Sequence, residues 1–189
     1  MKTEYSEAQV RRILKQMQIV GDTREQVCGH VERALADLGC PLVRGKLDQG
    51  DYTALLPIAA FPGFERIDGF TSLADEVVIE RKANLDEIAG NFTVDRPRFE
   101  REFLRAKAAD IKVFLLIENA SWQAIWSHDY RSRLAPSPFA ASLMSWQVKY
   151  NVTINFCRPE ETGKLIYGIL YYWLRCRLED GRRPVAGKL

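Results

Sequence analysis

Between Ser6 and Met17 the apolar residues recur at helical spacing. Val10, Ile13, Leu14 and Met17 share one face, and Ser6 stands where an N-cap belongs. "MQIVGD" then reads as a short strand ending at Asp22. "REQVCGHVERALADLG" returns to the helical period, with Val27, Val31, Leu35 and Leu38 inward and Gly39 as the stop. "PLVRGKLDQGDYTALLP" reads as two strands around a turn near Asp48–Gly50. Residues 57–74 break the rhythm with prolines and glycines and predict an irregular insertion, a flap between strands.

"VVIERK" resumes as a strand, and "LDEIAGNF" as a short helix. "RPRFEREFLRAKAAD" predicts a charged helix whose apolar side is Phe99, Phe103, Leu104 and Ala108. "IKVFLLIE" has no polar alternation, which predicts a central strand covered on both faces. "SWQAIWSH" and "SPFAASLMSWQVKY" are helical, the second with Phe139, Leu143 and either Trp146 or Val148 inward. "NVTINFC" is a last strand, followed by the strongly apolar helix "ETGKLIYGILYYWLRCRLED". Strands alternating with helices predict one three-layer α/β domain over residues 1–180. Within it, residues 1–16 form an N-terminal helical segment, and residues 181–189 follow as a basic, frayed tail.

Composition narrows the partners. With 47% hydrophobic and 28% charged residues a packed core is expected, not disorder. The net charge is only +2, so any hold on nucleic acid must come from a local basic surface. Arg96, Arg98, Arg101, Arg105 and Lys107 on one helix offer such a surface, although the interleaved Glu100 and Glu102 equally fit a solvated face. Four cysteines without CxxC spacing, and two histidines without ligand spacing, speak against zinc and against a disulfide framework. The histidines and cysteines read as structural, and the chain as cytoplasmic, nucleoid-associated if bacterial or phage-encoded. No apolar run reaches membrane-spanning length. Trp122, Trp126 and Trp146 read as core or interface. "LIYGILYYWL" is apolar on more than one side, which opens the option of a dimer.

The chemistry lies where "VVIERK" stops being apolar. Residues two apart on a strand share a face, so Glu80 and Lys82 point one way and Arg81 the other. Glu80 and Lys82 alone fit a solvated ion pair. Asp51 changes that reading: Gly50 permits a sharp turn, and Asp51 opens the next strand. If that strand lies beside "VVIERK", two carboxylates meet and repel unless a cation sits between them. Hard oxygen ligands suit Mg²⁺ or Mn²⁺, which polarises a phosphoryl oxygen and acidifies water, with Lys82 assisting. The spaced Asp…Glu-x-Lys pattern resembles the PD-(D/E)XK nuclease signature. Asp22 also reads as a helix N-cap, and Asp86 has the same alternative.

Four pieces in order sharpen the resemblance: "VGDTREQ", "GDY", "ERKANLD" and "RPRFEREFLRAKAADIKVFLLIEN", closed by "NVTINFCRPEETGKLIYGIL". Together they resemble the nuclease domain of XPF/Mus-type structure-specific endonucleases over roughly residues 17–175. The resemblance implies a restriction-endonuclease-like fold, a mixed central sheet flanked by helices. It implies Mg²⁺ or Mn²⁺ held by Asp51, Glu80 and the Arg81 carbonyl, with Asp22 as a further ligand, and Lys82 as the catalytic lysine. Glu25 and Asp22 become further active-site acids, and Asp86 pins Arg81 or Lys82. Arg24 and Arg81 become contacts for phosphate or carboxylate. It also implies pairing of two copies through the C-terminal helix. The stretch between "GDY" and "ERK" is longer than the family pattern. No tandem helix-hairpin-helix module follows, so the chain reads as a minimal stand-alone member with modest preference for branched DNA. The expected function is metal-dependent hydrolysis of DNA in repair, recombination or phage DNA metabolism. The rival is a catalytically silent DNA-binding partner, a role in which the acids are lost; here they are all present.

Overall fold

The computed structural model describes residues 5–26 and 28–181. Its strands are β1 (Gln18–Asp22), β2 (Leu42–Gly45), β3 (Tyr52–Pro57), β4 (Phe70–Ser72), β5 (Val77–Lys82), β6 (Lys112–Glu118) and β7 (Val152–Cys157). Its helices are α1 (Glu7–Leu14), α2 (Gly29–Asp37), α3 (Leu85–Thr93), α4 (Arg96–Ala108), α5 (Trp122–Trp126), α6 (Pro136–Tyr150) and α7 (Pro159–Glu179). The strands form one sheet in the order β2-β1-β3-β5-β6-β7, with β4 on β3. β3 runs antiparallel to β1 and β5, while β5, β6 and β7 are parallel, so the sheet is mixed.

Alternation along β5 divides the core. Val77 and Ile79 join the cluster under α1, α2 and α7, and Val78 joins the cluster under α3, α4, α5 and α6. The result is the expected restriction-endonuclease-like three-layer α/β fold, with β5 in mid-sheet and helices on both faces. Ser6 caps α1 in a reciprocal box with Gln9, as its position in sequence predicts. The α2–α7 seam is close-packed: a Cβ on Gly163 would come within 2.6 Å of the Ala34 Cβ. Ile166, Leu170, Leu174 and Leu178 are fully buried along it, each worth about 1.5–3 kcal/mol of burial. Among the described residues no helix is long and apolar enough to cross a membrane.

Several expectations change. α2 begins at Gly29, not at Arg24, because Arg24 and Glu25 are drawn into side-chain pairs described below. Leu38 is exposed, and Val27 lies outside the described residues. The two strands around the Asp48–Gly50 turn are present as β2 and β3, with β1 paired between them. The 57–74 stretch is partly regular: a 3-10 turn (Ile58–Ala60) and β4, with Phe61 and Leu73 in the core. It leaves the far end of β3 from Asp51, six residues and about 20 Å away. On α4, Ala106 replaces Leu104 and Ala108 in the buried stripe, since Phe99, Phe103 and Ala106 are the positions that face α6. On α6 the inward residue is Trp146, packed edge-on against Phe92 and Phe103, and Val148 is exposed. Of the basic tail, residues 182–189 lie outside the described residues.

Candidate active site

Gly50 adopts φ +69°, and a Cβ there would meet the Val78 Cβ at 2.7 Å. The turn therefore presses backbone against β5, which only glycine tolerates without strain. Asp51 follows, wedged between two strands: its N–H donates to the Ile79 carbonyl at 2.8 Å, and its carbonyl accepts from the Asp22 N–H at 2.7 Å. Its carboxylate accepts the Arg81 N–H at 2.7 Å. The placement of Asp51 beside "VVIERK" is thus as the sequence predicts.

Glu80 and Lys82 project from β5 into the same cleft. Lys82 Nζ donates to Glu80 Oε1 at 2.7 Å, lies 3.6 Å from Glu87 and sits over the Phe99 ring. Burial and the Glu80 charge push the Asp51 carboxyl well above the ordinary range. Burial works to lower the Lys82 pKa, but Glu80 and Asp51 outweigh it and hold it above the ordinary range. Lys82 is therefore a cation at neutral pH, a hydrogen-bond donor and not a base. The cleft encloses about 240 Å³, and Arg24, Asp48, Gln49, Asn91, Arg98, Glu102 and Arg105 complete its polar lining.

The donor set fits a hard divalent cation. Asp51 and Glu80 are two carboxylates under mutual repulsion. The Gln49 Oε1 and Asn91 Oδ1 atoms lining the same cleft are buried acceptors without a protein hydrogen bond. Among the described residues no three His, Cys, Asp or Glu side chains gather as a ready-made ligand cage. Mg²⁺ needs none: it keeps several waters and commonly takes one or two carboxylates.

Comparison with family profiles matches the ERCC4 domain over residues 22–169, more than three quarters of the chain. The chain belongs to the ERCC4 domain family. Among solved structures it is similar to XPF from Aeropyrum pernix, with a TM-score of 0.61 and 22% identity over 91% of this chain and 67% of that one. It is similar also to XPF from Aeropyrum pernix in complex with DNA, with a TM-score of 0.59 and 20% identity over 85% of this chain and 66% of that one. The chain thus spans about two thirds of those chains and carries an XPF-type nuclease domain. No curated protein matches.

Elsewhere in this ERCC4 domain the remaining residues separate. Arg81 turns to the opposite face of the sheet. Its guanidinium forks onto Glu118 at 2.8 and 2.6 Å and reaches Glu25 at 3.0 Å. Glu25, its carboxyl raised chiefly by burial, thus lies behind β5, paired with Arg81. An Arg81 side chain in that pair is not open to phosphate; its carboxylate contacts are realised. Asp22 is buried, with both oxygens engaged by Arg24 and by the Leu47 N–H. Burial would raise its pKa, but those bonds outweigh it and hold the carboxyl at about 2. Asp22 caps no helix; it staples the loop that delivers Gly50 and Asp51. Asp86 pins neither Arg81 nor Lys82: both its oxygens hold Arg131 and the Ser132 N–H. Nor does it cap α3; Asn84 does.

Among the basic residues, Arg24, Arg98 and Arg105 line the cleft, while Lys107 lines a second cavity beside α7 and bonds the Lys149 carbonyl. Arg96 and Arg101 lie outside both linings. Residues that sequence reasoning passed over include Glu102, Gln49, Asn91, Glu118, His30 and Thr162. Glu102 had a signal: it lies between Arg98 and Arg105 on one helical face, and burial with the Glu80 charge raises its carboxyl. Glu118 had one too, a carboxylate closing the otherwise apolar "IKVFLLIE". His30 and Thr162 had none.

Proposed function

We propose that this protein is a divalent-metal-dependent endodeoxyribonuclease that hydrolyses phosphodiester bonds in branched or junction DNA. The observation that carries the reading is the convergence of Asp51 and Glu80, from antiparallel neighbours, in one cleft beside Lys82. Asp51, Glu80 and the Arg81 carbonyl would hold Mg²⁺ or Mn²⁺ there. A cation bound there supplies Lewis acidity toward a phosphoryl oxygen and lowers the pKa of water. Lys82, held protonated, donates to the attacking water or to the charge growing on the phosphate. Arg24, Arg98 and Arg105 rim the cleft and receive the flanking phosphates. Membership of the ERCC4 family, and the likeness to an XPF solved with DNA, support DNA as the substrate. The setting is repair, recombination or phage DNA metabolism, in the cytoplasm or at the nucleoid. Two copies pair through α7.

Plasmid, flap, fork, single-stranded and plain duplex DNA are to be incubated with the purified protein, with Mg²⁺, Mn²⁺, Ca²⁺ or EDTA. Cleavage is expected with Mg²⁺ and Mn²⁺, binding without turnover with Ca²⁺, and no cleavage by Asp51→Asn or Glu80→Gln. Undiminished cutting in EDTA, or full activity in either variant, overturns the mechanism. Tight branched-DNA binding with no cleavage under any divalent ion would favour a silent scaffolding partner instead.

A further inference from the structure

Arg81 stands between the two cleft residues of β5, yet its side chain is almost wholly buried on the far side of the sheet. A buried guanidinium is costly unless each of its donors is met. Glu118 meets it with both oxygens, in the planar fork that arginine and carboxylate share. Glu118 is itself only 2% exposed. It sits two residues along β6 from Leu116, the register partner of Arg81, and so on the same face. The Glu118 Oε1 atom also bonds His30 Nε2 of α2 at 2.7 Å and accepts the Thr162 hydroxyl of α7 at 2.6 Å. Two helices behind the sheet therefore converge on one carboxylate, and that carboxylate grips Arg81. On the front face, the backbone N–H of the same Arg81 donates to the Asp51 carboxylate at 2.7 Å.

We propose that Glu118 is a positioning residue of the site: by anchoring the Arg81 side chain behind the sheet, it fixes the Arg81 backbone N–H that orients Asp51 in front of it. The proposal rests on the reading of Asp51 and Glu80 as the active-site acids. His30 and Thr162 are the outer supports, since both bond Glu118 Oε1, the oxygen that also accepts the Arg81 Nε–H. Glu118, His30 and Thr162 themselves line no part of the cleft, so their hold on Asp51 runs through Arg81, whose backbone N–H meets the Asp51 carboxylate. Partners of this kind, one step removed from a ligand, typically change metal affinity or turnover by about 10–100-fold when removed.

The test uses the whole chain with two variants. Glu118→Gln keeps the shape and loses half of the fork. Arg81→Met combined with Glu118→Leu replaces the buried pair by apolar side chains, a swap that stable proteins commonly tolerate; it serves if Glu118→Gln does not fold. The first readout is the amide ¹H–¹⁵N shift of residue 81 in the metal-free protein, with Asp51→Asn marking where that signal goes when its acceptor is weakened. The second is steady-state cleavage. The expected result is an amide shift moved toward the Asp51→Asn position, with kcat lowered about 10–100-fold and KM for DNA unchanged. An amide signal that stays at the wild-type position in a folded variant overturns the proposal, as does an unchanged kcat. If the wild-type protein cleaves nothing, the nuclease reading fails by itself, and the amide shift still decides whether Glu118 orients Asp51.

Discussion

Asp51 is partly buried and Asp22 fully so, each directly after a glycine, and their surroundings drive them in opposite directions. Asp51 meets burial and the Glu80 charge, so it keeps its proton to a higher pH folded than unfolded. Stability of the metal-free protein therefore falls as pH rises from the ordinary carboxylate range through that raised value, and stays lowered above it. Asp51→Asn is expected to raise the melting temperature in EDTA at neutral pH and to leave it nearly unchanged below about pH 3, where the wild-type carboxyl is mostly protonated in both states. Thermal denaturation of the two proteins across that range checks this. Asp22 behaves inversely, held at about 2 against an ordinary 3.8 by Arg24 and Leu47. Its contribution is present above pH 4 and lost as pH falls toward 2. Asp22→Asn is expected to cost about 1–2 kcal/mol at neutral pH, discounted because Arg24 is largely exposed, with the gap closing in acid. Chemical denaturation at pH 7 measures the full cost, and at pH 3 the gap should be partly closed.

Among the elements, β5 and α4 divide the work. β5 delivers an acid and a lysine to one face and an arginine to the other, because its period is two. α4 lies over the same cleft and presents Arg98, Glu102 and Arg105 on one face, one turn apart. Arg96 points away from this face and Arg101 borders it without lining the cleft, so the basic helix is not uniformly a DNA-tracking surface. Arg98→Gln and Arg105→Gln are each expected to weaken DNA binding for all sequences alike and to reduce the salt slope of log K by about one. Arg96→Gln and Arg101→Gln are expected to have smaller effects. Anisotropy titrations with flap and duplex DNA at several salt concentrations separate them; equal effects from all four would place the DNA path along the outer side of α4. Contacts of this type go to phosphates, so no sequence specificity is expected, and a bendable junction is favoured over straight duplex only modestly.

At the scale of the molecule, α7 uses one side of its apolar surface against α2 and leaves another side open. Leu165, Gly168, Ile169, Tyr172 and Trp173, with Phe114 of β6, line a groove of about 1220 Å³. Tyr172 is 64% exposed at its edge. A second copy is the occupant expected here. Light scattering at micromolar concentration should give twice the monomer mass, and Tyr172→Glu should return the monomer with the fold intact, because the α2 seam of Ile166, Leu170, Leu174 and Leu178 is untouched. A wild-type monomer at that concentration removes the dimer from the proposed function.

What local pattern determines, the sequence determined. Period and capping placed β1, β5, β6, α1 and α7. The glycine before Asp51, with the charges that interrupt "VVIERK", marked the cleft and its lysine. A turn glycine and a charged strand end are signals that survive without neighbours, because backbone sterics and alternation act within a few residues. Contacts between distant segments decided the rest. Whether Asp22, Glu25, Arg81 and Asp86 would join Asp51 depended on which strand lay between which others, and on which side chain reached first. The Leu47 N–H, twenty-five positions on, helped Arg24 to claim Asp22, Arg131 claimed Asp86, and Glu118, thirty-seven positions away, claimed Arg81. β1 inserting between β2 and β3 is likewise invisible to local pattern, since a turn predicts reversal but not which strand fills the space beside it. Buried charge pairing is a competition among all partners that the fold brings within reach, and only the tertiary structure holds that competition.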